Sequence, residues 1–162
     1  MVILGLDPGL RNTGYGVIAK DGSSLRFIAS GVIHSDDSLS LSERLLELFD
    51  GVAAVVDRFA PDHAAVEETF VNVNPKSTLK LGQARGAVIL GAASKGIPVY
   101  EYSPNLVKKT IVGVGHAEKS QVAMMVKMLL PLSGKQTKDS ADALAIAVCH
   151  AHNYSPLLTG KK

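Results

Sequence analysis

The sequence predicts an α/β domain built on a mixed five-stranded sheet flanked by helices. Two patterns predict it. Three β-like runs at short spacing fill the first 34 residues, which argues for an antiparallel meander. Helical and strand patterns then alternate, with short apolar runs at 63–67 and 97–102 and a helical pattern near the C-terminus; this order makes the sheet mixed and covers it with helices. With 162 residues, 46% of them hydrophobic and 20% charged, the chain fits one domain with a sizeable core.

The first strand is the apolar run 2–6, which ends in Asp7 and is broken by Pro8-Gly9. The strand so delivers the Asp7 carboxylate to its C-terminal end, where open α/β sheets place ligands. Gly5, Gly9, Gly14 and Gly16 leave the surrounding backbone uncrowded, as close approach by phosphate or metal requires. A second strand covers 15–19, Asp21-Gly22 turns the chain, and a third strand covers 25–34. Ser40 with Glu43 forms a capping box, and Leu41, Leu45, Leu48, Val52, Val55 and Phe59 recur at helical spacing, so 41–59 is an amphipathic helix. A fourth strand, 63–67, leads into a loop over 68–76. The helix expected over 77–95 carries Gly82, Gly86 and Gly91. Each costs a helix up to about 1 kcal/mol relative to alanine, which points to close approach by the sheet or by a second subunit.

A fifth strand covers 97–102. Ser103-Pro104 then starts a helix that runs to about Val112, where Gly113-Val114-Gly115 breaks it. Further helices span 117–130 and 139–152, separated by a polar loop over 133–138. Residues 1–153 form one domain and 154–162 a loose, flexible tail. Three meandering strands followed by this alternation suit a ribonuclease-H-like architecture.

Cys149 is the single cysteine, so no intramolecular disulfide forms, and its apolar surroundings mark it as a buried structural thiol. No Cys/His spacing suggests zinc. With no secretory signal pattern and no apolar run of membrane-spanning length, the chain is expected to be cytoplasmic. The net charge of +2 hides an asymmetry: residues 1–70 carry five Lys/Arg against eleven Asp/Glu, and residues 71–162 carry twelve against four. The basic second half suits a polyanionic partner or a solvated lysine-rich surface.

Chemistry is carried by acids. Asp7 ends the first strand and Glu67 the fourth; if the two strands are parallel neighbours, the carboxylates meet. Asp139 and Asp142, three apart on a helix, share a face. Four carboxylates in one cleft repel one another unless cations lie between them, and hard oxygen ligands suit magnesium or manganese. Strand alternation puts only one of Glu67 and Glu68 on the Asp7 side, and periodicity leaves the choice open. Asp7 before proline also fits a turn cap, and Asp139 and Asp142 also fit a helix N-terminus that complements its dipole.

Five blocks, LGLDPGLRNTGYGVI, Glu67-Glu68-Thr69-Phe70, LKLGQARGA at 79–87, VGVGHAEKSQV at 112–122 and DSADALAIAVCHAH at 139–152, together resemble the bacterial RuvC family of Holliday junction resolvases. The resemblance covers nearly the whole chain in order and spacing. It implies a ribonuclease-H-like homodimer that nicks four-way DNA junctions symmetrically with Mg2+, two ions per active site with Mn2+ able to substitute. It further implies work beside a branch-migration complex of the RuvA and RuvB type in recombination and repair. The family's acids fall on Asp7, Glu67, Asp139 and Asp142; its glutamate stands three residues before a phenylalanine, which selects Glu67 over Glu68. Its lysines near the site fall on Lys108 and Lys119. Glu68 departs from the pattern, since family members often carry an uncharged side chain there. Phe70, in a polar loop, is placed to stack on an unpaired base at the junction centre or, alternatively, to staple onto the next helix. Lys76, Lys80, Arg85, Lys108, Lys109 and Lys119 are the expected DNA-contacting cations. Two rivals are weaker. A sugar-kinase-like ATPase shares the Asp-Pro-Gly hairpin with Thr13-Gly14 but needs two lobes, and a non-catalytic DNA-binding relative has no use for four acids.

Overall fold

The computed structural model describes residues 1–70 and 73–156; residues 71–72 of the expected loop and 157–162 of the expected tail lie outside the described residues. The elements are β1 (Val2–Asp7), β2 (Asn12–Asp21), β3 (Ser24–His34), α1 (Leu41–Phe59), β4 (His63–Glu67), α2 (Pro75–Ala93), β5 (Val99–Tyr102), α3 (Pro104–Val112), α4 (Lys119–Leu129), a 3-10 turn (Pro131–Ser133) and α5 (Lys138–Asn153). The sheet order is β3-β2-β1-β4-β5. The first three strands pair antiparallel, while β4 pairs parallel with both β1 and β5. This is the ribonuclease-H-like mixed sheet that the element order predicts.

Alternation along the central strands divides the core in two. Leu4 and Leu6 of β1, with Ala64 and Val66 of β4, face α1 and α2, where Leu48, Val52, Val88 and Ala92 are buried. Ile3 and Ala65 point the other way, onto α5 and the helices beside it. Local signals set the helix starts. The Ser40–Glu43 capping box forms at α1. The Ser103 side chain caps α3 by accepting from Leu106 N–H. Asn74 caps α2 by accepting from the backbone N–H groups of Lys76 and Ser77, so α2 begins at Pro75, earlier than apolar spacing indicates.

The glycines near Asp7 serve a different purpose from the one expected. A Cβ on Gly5 would stand 2.0 Å from the carbonyl oxygen of Ala143, and one on Gly14 would stand 2.1 Å from that of Asp139. A Cβ on Gly16 would stand 2.7 Å from the Leu144 side chain and 2.9 Å from its backbone nitrogen. These three positions admit the backbone of α5, not phosphate or metal, and Gly9 closes a turn against Asn12. Because α5 rests directly on β1 and β2, its acid-bearing first turn reaches the strand ends. In α2, Gly91 marks the crossing with α1, 2.7 Å from Phe49 O by the same measure, whereas Gly82 and Gly86 meet nothing within 4 Å. Cys149 is a buried free thiol. Tyr154 packs its ring 4.5 Å from that of His63, so the packed part of the chain extends past the boundary expected at residue 153. Among the described residues, no helix is long and apolar enough to cross a membrane.

Candidate active site

Leu6 of β1 pairs with Val66 of the parallel β4. The next residue of each strand, Asp7 and Glu67, therefore ends side by side on the face of Ile3 and Ala65, which is the α5 face. Glu68 follows the end of β4, where its backbone N–H donates to Tyr102 O at 2.8 Å, and it is not among the residues lining the acid cleft. The Thr137 side chain caps α5 by accepting from Ser140 N–H at 3.2 Å, and the first helical turns present Asp139 and Asp142. The four carboxylates line one cleft of about 250 Å3, with Lys108, Lys119 and Lys138 also on its walls. Lys119 Nζ lies 3.6 Å from Asp142 Oδ2.

Burial and mutual repulsion strain these acids. Burial first, then the charges of Asp142, Glu67 and Asp139, push the Asp7 carboxyl up to about 7. Glu67 is raised by burial and by Asp142, against the opposing pull of Lys119 and Lys108. Asp142 is raised by burial, with Lys119 pulling the other way. A cluster that holds protons this firmly favours any cation that can replace them. The donors are carboxylate oxygens alone, which fits magnesium or manganese. Among the described residues, no three His, Cys, Asp or Glu side chains stand gathered as ready ligands of one ion. The acids line an open cleft, and such a cleft leaves coordination positions for water and phosphate oxygens.

The expected DNA-contacting residues separate into three groups. Lys108 and Lys119 stand on the cleft wall. Phe70 is 67% exposed and lines an adjoining groove with Asp7, Glu67 and Glu68; a side chain stapled onto α2 would be covered. Lys76 and Lys80 on α2 and Lys109 on α3 are exposed and lie off the cleft. Arg85, also expected to contact DNA, has partners inside the fold. Its guanidinium donates from Nε to Glu67 O at 3.4 Å and pairs with Glu101 at 3.2 Å, so it supports the end of β4 from within the fold. Lys138 is the site residue missed by sequence reading; its place directly before Asp139 was the available signal. Thr13 is buried, and its hydroxyl exchanges hydrogen bonds with the Gly9 backbone, donating at 2.9 Å and accepting at 3.3 Å. It is thus occupied in holding the turn after Asp7 and does not serve the phosphate-binding role of the ATPase reading.

A ribonuclease-H-like sheet that delivers four acids and three lysines to one open cleft defines a cation-assisted nuclease. A family model described as crossover junction endodeoxyribonuclease RuvC matches residues 3–150. The chain is 61% identical to the crossover junction endodeoxyribonuclease RuvC of Paramagnetospirillum magneticum, over 94% of this chain and 92% of that one. It is 57% identical to that of Agrobacterium fabrum, over 93% and 89%. The solved structure of T. thermophilus RuvC in complex with Holliday junction substrate matches with a TM-score of 0.87 at 39% identity, covering 93% of each chain. The chain belongs to the RuvC family.

Proposed function

We propose that this protein resolves four-way DNA junctions by symmetric paired nicks, as a homodimer acting in the cytoplasm beside a RuvA- and RuvB-type branch-migration complex. The observation that carries the reading is the convergence of Asp7, Glu67, Asp139 and Asp142 from three separate elements onto one lysine-walled cleft. These acids would hold two magnesium ions, which when bound supply an attacking water acidic enough for neutral pH and a counter-charge for the leaving oxygen, giving 5′-phosphate and 3′-hydroxyl ends. Lys108, Lys119 and Lys138 hold the scissile phosphate at the cleft wall, and Lys119 stabilises charge that builds on it. Phe70 stacks on a base unpaired at the junction centre, an interaction worth about 1–3 kcal/mol. Lys76, Lys80 and Lys109 neutralise phosphates farther out.

A two-fold substrate calls for two equal sites, which a symmetric dimer provides. The face of α2 bearing Leu79, Gly82, Gly86 and Leu90 supports such a contact: both leucines are exposed, and the glycines leave room for a second backbone. The test uses synthetic junctions and linear duplexes of the same sequence with Mg2+. Paired cuts symmetric about the branch point, with the duplex intact, are expected. Uncut junctions, or duplex cut equally well, would overturn the reading.

A further inference from the structure

The catalytic cleft is not the largest concavity of the molecule. A groove of about 710 Å3 runs between α4 and the first turns of α5, floored by the loop that follows the 3-10 turn. Lys119, Lys138 and Asp142 line both this groove and the acid cleft, so the two are continuous. Its other charged liners are Lys127 and Lys135; Asp142, which belongs to the cleft, is its single acid. Between the lysines the wall is apolar, formed by Ala123, Val126 and Ala141, with Met124 at its edge, 59% exposed.

One polar group in this groove is out of keeping with the rest of the fold. Ser133 is 6% exposed, and its Oγ has no hydrogen-bond partner among the described residues. Buried hydroxyls are normally satisfied, and leaving one unpaired costs about 1–3 kcal/mol. Its neighbour Gln136 is already occupied: the amide oxygen accepts from Ser30 Oγ at 2.6 Å, and the amide nitrogen donates to the Ser133 carbonyl oxygen. The free hydroxyl can both donate and accept.

We propose that this groove is a nucleotide subsite. It takes a base flanking the scissile phosphate out of the stack, seats the ring on the apolar wall, reads one edge through Ser133 Oγ and anchors the adjoining phosphates on Lys127 and Lys135. A volume of this size lies within the range of small-molecule sites. The groove combines a ring-sized apolar wall, one polar reader and a cationic rim, a set that matches a nucleotide more closely than an acidic peptide. Its junction with the acid cleft assigns it to the strand being cut. The subsite rests on the resolvase reading, and it makes Ser133 a determinant of which junction sequences are cut.

The test is the ratio of single-turnover cutting rates between the most and least favoured junctions of a set varied around the cut. Ser133→Ala should reduce that ratio about tenfold, the effect of losing one hydrogen bond to a base edge, while cutting of the least favoured junction is unchanged. Ala123→Phe, which fills the groove, should bring the favoured junctions down to the same floor. A second readout avoids cleavage. With Asp7→Asn protein, a 2-aminopurine placed at each flanking position in turn should brighten at one position as it unstacks, and adding Ala123→Phe should abolish that signal. Unchanged ratios and fluorescence in variants that melt like the wild type would overturn the subsite. If Ala123→Phe instead released only a bound acidic protein partner, the groove would be a docking surface and the nucleotide reading would fall. A wild type that cuts no junction at all would refute the resolvase reading itself, a result distinct from either.

Discussion

The two ends of α5 treat buried titratable groups in opposite ways. At its start, Asp139 and Asp142 meet Asp7 and Glu67; at its end, His150 meets His63, Tyr102 and Tyr154. Strand β4 repeats the pairing in reverse, with His63 as its first residue and Glu67 as its last. The imidazole end satisfies itself. Tyr102 Oη and His150 Nδ1 lie 2.7 Å apart, and His150 Nε2 and His63 Nδ1 lie 3.0 Å apart. Burial drives His150 down to about 4 and Tyr102 up to about 12, so both stay neutral. The two contacts link Tyr102, His150 and His63 into one chain of hydrogen bonds. The acid end does not close in this way: four carboxyl groups face one another across the cleft, with Lys108, Lys119 and Lys138 as the cations on its walls. Its internal cations are too few, and the repulsion remains until ions arrive. One end is thus a neutral plug that holds α5 to the sheet, and the other is a charge deficit kept for a ligand.

The largest expected effect removes that deficit. Asp7→Asn, Glu67→Gln, Asp139→Asn and Asp142→Asn should each lower single-turnover junction cutting by about 10^3-fold or more, the scale on which electrostatic catalysis operates. Junction binding should stay within a few-fold of the wild type. Glu68→Gln should cut normally, since Glu68 lies off the cleft; loss of cutting there with normal Glu67→Gln would reverse the assignment.

Lys119 and Lys76 sharpen the same contrast on the basic side. Lys119, 3.6 Å from Asp142, should lower the cutting rate about 10–100-fold as Lys119→Gln even when junction is saturating. Lys76→Gln should leave that rate unchanged and reduce the salt slope of binding by about 0.9, one duplex phosphate contact. Equal saturating rates for the wild type and Lys119→Gln would make Lys119 a phosphate anchor only.

What could be read from sequence follows the range of the forces involved. The caps at Ser40 and Ser103 act within three residues, and the α1 pattern is a property of one helix, so those elements were legible. β2 begins at Asn12 rather than Tyr15 because Asn12 and Thr13 pair with His34 and Ile33, and polar residues hide a strand that only its neighbour reveals. The acids were identifiable as chemical types, yet their convergence depends on α5 lying against Gly5, Gly14 and Gly16. That is a contact between segments more than a hundred residues apart, and it gave those glycines a purpose invisible locally. The internal partners of Arg85 were hidden for the same reason: Glu67 O and Glu101 lie on two other elements.

The smallest expected effect is a pH dependence of opposite sign at the two ends. Asp7 is an acid whose folded value, about 7, exceeds its ordinary 3.8. Folding therefore loses stability as pH rises from about 4 to about 7, where the unfolded chain releases the proton and the folded chain retains it. Asp7→Asn removes this loss. In chelator at pH 7.5 it should melt roughly 5 °C above the wild type, the shift that one to two kcal/mol produces in a chain of this length, and the gap should close as pH falls to about 4. Magnesium should raise the wild-type Tm by mass action and the variant's much less. His150 runs the other way. Its folded value, about 4, lies below its ordinary 6.5, so its contribution is complete above pH 6.5 and is lost as pH falls toward 4. His150→Gln should melt below the wild type at pH 7.5 and approach it on acidification. Melting curves at pH 4.5, 6 and 7.5 in chelator should show the Asp7→Asn and His150→Gln gaps both narrowing toward acid, one from above the wild type and one from below. A His150→Gln gap that stayed constant across that range would mean His150 takes up its proton as readily in the folded chain as in the unfolded one. The imidazole end would then contribute packing alone, and the opposition between the two ends of α5 would reduce to the acids.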